Sequence, residues 1–214
     1  MQKSLRDPVS ALTHLFAAAA GLIGTFVLLW LGWGDWQKGF TLLIYGLSLT
    51  LMFLSSGIYH TVLAGPAVTL RLRKLDHSAI YLQIAGSYTP ICLFFFEGFW
   101  RWGLLGIIWG MALAGIIVKL FIINAPRWIT AGIYLLMGWL SVMAVQEMLR
   151  TMPAAALAWL VAGGLFYTFG ALIYILKKPD FFPGVFGFHE VWHIFVILGA
   201  FSHFVMIAFF IAPL

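Results

Sequence analysis

Long apolar stretches alternate with short polar turns along the whole chain. An α-helix needs about 20 mostly apolar residues to cross a hydrocarbon core. Seven such runs fit: Leu12–Leu31, Phe40–Leu63, His77–Phe96, Trp102–Ile123, Trp128–Leu149, Ala154–Leu176 and Phe188–Ile211. The joints between them are GWGDWQKG, the basic segment before Asp76, EGFWR, NAPR, RTMP and KKPDFFPG. Glycine, proline and charge in these joints interrupt helices and favour turns. The pattern predicts an all-α integral membrane protein, a seven-transmembrane helix bundle in which residues 1–214 form one domain. Trp30, Trp33, Trp36, Trp100, Trp102 and Trp128 fall at span ends, where amphipathic rings settle at the membrane–water interface. The run Ala17–Ala20 is short and small-sided, which permits close helix packing.

Composition agrees and narrows the reading. The chain is 63% hydrophobic and 9% charged, with mean hydropathy +1.02, whereas soluble domains carry about 25% charged residues. No room is left for a separate soluble domain. Met1 to Thr13 is polar, and the apolar run after it is full length without a small-residue cleavage site, so no signal peptide is expected. Cys92 is the single cysteine, which excludes an intrachain disulfide. The net charge of +5 forms no basic face or aromatic-basic run of the kind that binds nucleic acid. Its placement carries the information. Nine of the twelve Lys and Arg, namely Lys3, Arg6, Arg71, Arg73, Lys74, Lys119, Arg127, Lys177 and Lys178, fall on one side of the predicted bundle, against Lys38, Arg101 and Arg150. Because basic loops stay inside, the N-terminus is expected in the cytoplasm and the C-terminus outside.

Ionisable residues within spans are costly and mark function by default. The last span opens with FHEVWHIFVILGAFSHF, carrying His189, Glu190, His193 and His203. His189 and His193 are one helical turn apart on one face. Ser56 and His60 repeat that spacing near the end of the second span; Asp76 and His77 open the third; His14 lies in the first turn of the first. On the charge-based map all of these share one layer just inside the cytoplasmic boundary, although they come from four spans. Scattered structural polar residues have no reason to share a depth. His203 lies about 15 Å deeper than His193 at the rise of an α-helix, outside that layer.

His60, His189 and His193 would supply three neutral nitrogen ligands and leave one position open, a pattern of catalytic rather than structural zinc. Zinc in such a site lowers the pKa of bound water to about 7. Asp76 is placed to act as general base or to hold that water, and Ser56 to stabilise charge on a substrate carbonyl. A lone cysteine argues against soft-metal and iron–sulfur centres, and too few carboxylates against calcium or magnesium. A haem held by two histidines fits poorly with a cluster at the membrane edge. His14, His77 and Glu190 are candidates for an outer ring. For each, packing or an ordinary hydrogen bond is the simpler role, with Glu190 pairing a basic loop residue.

Four stretches together resemble the hemolysin III group of bacterial membrane proteins, a branch of the progestin and adiponectin receptor (PAQR) superfamily related to alkaline ceramidases. They are DPVSALTHL at Asp7–Leu15, SSGIYH at Ser55–His60, KLDHSAIYLQIAGSYTP at Lys74–Pro90 and HEVWHIFVILGAFSHF at His189–Phe204. Asp7 stands where relatives commonly have Glu. The resemblance implies a Zn2+ site with His60, His189 and His193 as ligands, Ser56 and Asp76 around the bound water, and residence in the bacterial inner membrane. It implies a membrane lipid or fatty-acyl substrate, since relatives include ceramide-hydrolysing receptors and the bacterial group is linked to lipid homeostasis. Three functions are therefore expected in competition: a zinc-dependent hydrolase of a lipid amide or ester, a non-catalytic receptor or membrane-state sensor stapled by zinc, and a pore-forming cytolysin. The last is disfavoured by the want of an export signal and of a polar stripe to line a channel.

Overall fold

Each span ends where its sequence can no longer satisfy a helix. The computed structural model describes residues 5–214; Lys3, counted above in the charge bias, lies outside them. Helix α1 (Pro8–Leu31) starts at a proline, which has no amide to leave unpaired at that position. Helix α2 (Trp36–Thr61) is capped by the Asp35 carboxylate, which accepts from the Gln37 and Lys38 amides. Helices α3 (Pro66–Phe95) and α4 (Gly98–Phe121) follow, with only two residues between them. The fifth crossing is α5 (Arg127–Trp139), a 3₁₀ turn over Leu140–Ala144 and α6 (Val145–Thr151). Helices α7 (Ala154–Leu176) and α8 (Phe188–Phe210) complete the chain. Among the described residues seven helical segments are long and apolar enough to cross a membrane. The protein is an all-helical, multi-pass membrane bundle.

Two boundaries differ from the hydropathy reading. Helix α3 begins at Pro66 rather than His77, so the basic segment is helix and not turn. Leu, Arg and Lys are strong helix formers, and their charge hid them from an apolar count. Asp76 and His77 therefore lie within α3 instead of opening it. The fifth crossing is broken at its middle by the 3₁₀ turn, where an uninterrupted span is predicted from Trp128 to Leu149. The Tyr88 hydroxyl of α3 fills the break: it donates to the Met137 and Gly138 carbonyls at 2.9 and 2.8 Å and accepts from the Ser141 amide at 2.9 Å. In a lipid core such backbone groups need a partner from the protein.

Neighbours in sequence pack as neighbours in space: α1 on α2, α2 on α3, α3 on α4 and α7 on α8, with α1 closing against α8. The fifth crossing lies against α7 and α3. Close approach depends on small residues. A Cβ at Gly46 would fall 2.8 Å from the Thr25 Cβ, and one at Gly86 would collide with the Ser48 Oγ. Ser48 in turn donates to Gln83 Oε1 at 2.7 Å, so α2 and α3 share a buried polar contact. Basic side chains gather at the end of the bundle that holds the histidines: Arg73 donates to Asn124, Lys74 to the Leu120 carbonyl and Lys119 to Thr130. Arg150 pairs with Glu97 and Glu147 at the far end. Trp30, Trp33, Trp36, Trp102 and Trp128 are exposed at helix ends, as interfacial anchors would be.

Candidate metal centre and cavity

The last turn of α2 and the first turns of α8 face each other beneath the residues that precede α1. His60 is 4% exposed and His193 1%, with His189 half-buried between them. One ring nitrogen from each of these three lies within 4.8 Å of the other two. The Nε2 atoms of His60 and His189 are 3.3 Å apart. Two imidazole nitrogens on one tetrahedral zinc, at its usual bond lengths, stand roughly 3.3 Å apart, so this pair already has the spacing of a shared ion.

Asp7 sets the chemistry of His60. Its Oδ2 lies 2.8 Å from His60 Nδ1. An ionised carboxylate only accepts, so Nδ1 carries the proton and Nε2 presents a bare lone pair toward His189 and His193. Partial burial raises the Asp7 pKa, but the His60 ring and the Arg6 guanidinium outweigh it and hold the carboxyl below its ordinary value. The carboxylate is thus complete above the ordinary range, near pH 3.9, and is lost only as pH falls through that lowered value. The Asp7 amide also donates to the His60 carbonyl at 3.0 Å. Arg6 bonds Asp7 at 3.2 Å and lies 3.7 Å over the Tyr59 ring. These few residues form a clasp across the end of α2.

His14 stacks on His193 with ring centres 3.7 Å apart and meets Phe53 edge-on at 5.1 Å. Both His14 nitrogens and His193 Nδ1 are buried without a hydrogen-bond partner. Glu190 does not pair a basic loop residue as expected. Its Oε1 accepts from Ser10 of α1 at 2.9 Å and its Oε2 from the Gly187 amide at 2.8 Å, capping α8. The His77 carbonyl accepts from Tyr134 at 3.0 Å, while its ring Nδ1 is buried and unpartnered. His203 stands apart: its Nε2 is 3.2 Å from the Leu160 carbonyl, and its ring meets Tyr167.

Five of the six histidines, all but His193, line one cavity of about 570 Å³, together with Ser56 and Asp76. Along α8 it reaches from His189 to His203, some 21 Å of helix at about 1.5 Å per residue. Its volume falls in the range of roughly 300–1,000 Å³ usual for small-ligand sites. Polar groups crowd the histidine end, and the Ser56 side chain approaches the Asp76 carboxyl there. The deeper walls add Ile84, Ile91, Leu135, Leu160 and Val196.

The sequence model of the Haemolysin-III related family matches residues 2–204. The chain belongs to that family. Hemolysin-3 of Bacillus cereus is 37% identical over 172 residues, covering 79% of this chain and 74% of that protein. The hemolysin-3 homolog of Bacillus subtilis (strain 168) is 36% identical over 167 residues, covering 78% and 75%. The human monocyte to macrophage differentiation factor is 30% identical over 203 residues, covering 90% and 79%. A match over less of the chain, the adiponectin receptor protein of Drosophila melanogaster, is 32% identical over 147 residues, or 61% of this chain and 33% of that protein. Haemolysin-III proteins thus sit within the PAQR superfamily, and this one carries a histidine trio able to hold a metal ion.

Sequence reasoning left Asp7 outside the site, although it opens the first resembling stretch. It precedes α1, so a search for ionisable groups inside spans passes over it. Ser10 was likewise invisible, since its partner Glu190 is 180 residues away.

Proposed function

We propose that this protein is a zinc-dependent hydrolase of an amide or ester in a membrane lipid, acting in lipid homeostasis. The reading places one seven-helix domain in the bacterial inner membrane with its N-terminus in the cytoplasm. The observation that carries it is the convergence of three imidazole nitrogens at the polar end of a long, mostly apolar cavity. The tautomer of His60 supports a metal there: with its Nδ1 proton donated to Asp7, Nε2 presents a lone pair toward His189, 3.3 Å away. His60, His189 and His193 would hold the ion, with Asp7 orienting His60 as outer carboxylates do in metal sites.

When bound, zinc supplies a Lewis acid that acidifies water and polarises a carbonyl. The chain does the rest. The acyl chain lies along α8, and the apolar walls exclude bulk water from the scissile bond. Asp76 takes the proton from the attacking water and returns it to the departing nitrogen or oxygen. Ser56 donates its hydroxyl to the carbonyl oxygen as charge builds on it. His14, packed flat on His193, holds that ring in place.

Purified protein assayed with zinc against a panel of lipid amides and esters should release free acid from at least one of them. Turnover should vanish in His193→Ala with the metal, and in Asp76→Asn without loss of the metal. Turnover that survives in both variants sinks the reading. Zinc bound stoichiometrically with no hydrolysis on any panel member would favour a stapled sensor instead. Dose-dependent leakage of liposomes would favour the cytolysin that the relatives' names describe.

A further inference from the structure

Arg73 and Arg127 line the histidine end of the cavity. Among the described residues the ion pairs involve Arg6, His60 and Arg150, and neither Arg73 nor Arg127 makes one. Arg73 Nη1 donates to the neutral Asn124 at 3.1 Å, which ties it to the segment leading into Arg127. The Arg127 guanidinium lies 5.0 Å from the ring centres of both Tyr174 and Phe188, and its Nη1 is buried without a hydrogen-bond partner. Behind them, Lys119 is 3% exposed and its ammonium has only the hydroxyl of Thr130, itself a cavity residue. Of the cavity's carboxylates, Asp7 is engaged by His60 and Arg6, Glu190 by Ser10 and Gly187, and Asp76 faces Ser56. Among the described residues these three cations thus stand together with no carboxylate in direct contact with any of them.

Orientation in the membrane accounts for basic residues at one end of a bundle, but those face water. A guanidinium held between two rings, with a buried and idle donor, is a costly arrangement for a topology signal. It suits an anion that enters the cavity. We infer that Arg73 and Arg127 bind the phosphate of an amphiphile whose acyl chain fills the cavity. This names the ligand class for the hydrolase reading, on which it builds, and it departs from a neutral lipid. Arg is the residue best shaped for phosphate oxygens, through its forked donors, and basic pockets between spans take anionic head groups.

The test compares two probes that share an acyl chain, 1-palmitoyl lysophosphatidate and 1-palmitoylglycerol. Binding to the full-length, zinc-loaded protein in a neutral detergent is read by native mass spectrometry. Wild type should prefer the phosphate form by about tenfold or more, and the preference should shrink as salt is raised. Arg73→Gln/Arg127→Gln should bring the two probes within about twofold, leaving 1-palmitoylglycerol binding and zinc content unchanged. Arg73→Lys/Arg127→Lys should keep part of the preference, because charge remains and the fork is lost. Equal binding of both probes by wild type overturns the inference with no variant needed. So does a full preference in the Gln pair. Inorganic phosphate that matches lysophosphatidate in affinity, with no gain from the chain, also overturns the amphiphile assignment in favour of a plain anion site. The readout is binding, so a preference in a protein that hydrolyses nothing leaves this inference standing and removes the enzymatic reading.

Discussion

Asp7 shows how a residue ahead of the first helix reaches a candidate metal ligand inside the bundle. Its carboxylate fixes the tautomer of His60 at 2.8 Å, and partners of that kind are worth about 10–100-fold in metal affinity. Asp7→Asn should therefore weaken zinc binding by about that factor while keeping one equivalent at saturation; competition against a fluorescent zinc chelator measures it. Unchanged affinity would mean that His60 needs no orientation. His14 gives a contrasting case. Its nitrogens have no partner and its ring packs flat on His193, so the ring matters and the polar atoms do not. His14→Phe should retain the metal and match or exceed wild type in thermal stability, whereas loss of zinc would make His14 a ligand. The histidines themselves were legible in the sequence, because their type and turn spacing announce them. Asp7 and Ser10 were not, because what they do depends on which distant helix end passes over them.

Among the elements, the long apolar runs were legible because hydropathy sums over many residues, and α7 agrees with the pattern at both ends. The break in the fifth crossing escaped because Leu140–Ala144 is as apolar as its flanks; only the tertiary partner marks it. Tyr88 is that partner, with three backbone groups on one hydroxyl. Tyr88→Phe leaves them unsatisfied, at about 1–3 kcal/mol for such loss, and hydrogen exchange at the Ser141 amide should speed up. An unaltered exchange rate would show that the turn stands without the tyrosine. Helix contact makes a second demand. Gly46→Ala puts a methyl into the Thr25 side chain, whose Cβ and both γ atoms lie within 2.8 Å. Thr25 is branched, buried and bonded to the Gly21 carbonyl, so it has little freedom to yield. Overpacking of this kind costs about 1–3 kcal/mol, read as a lower melting temperature. Gly106→Ala, with nothing within 4 Å of the new methyl, is the control and should be neutral or mildly stabilising.

On the scale of the whole bundle, the histidine trio joins parts of the chain that little else connects directly. Helices α2 and α8 both pack on α1, yet the His60–His189 approach is a direct bridge between them, 129 residues apart in sequence. An ion that binds there only when both helices are in place stabilises the folded bundle by mass action. At a free concentration about a hundredfold above its dissociation constant the gain is about 2.7 kcal/mol, or roughly 5–10 °C for a chain of this length. Chelation should therefore lower the melting temperature of the wild type by that order. The same treatment should leave His193→Ala unmoved, because it has no ion to lose. Asp76→Asn should keep the wild-type sensitivity, since Asp76 lies in the cavity wall outside the trio. That combination separates the ion's structural role from any chemistry it supports: stability follows the histidines, while turnover follows the histidines and Asp76 together. A wild type whose melting temperature ignores chelators would leave the 3.3 Å nitrogen pair as an ordinary imidazole hydrogen bond.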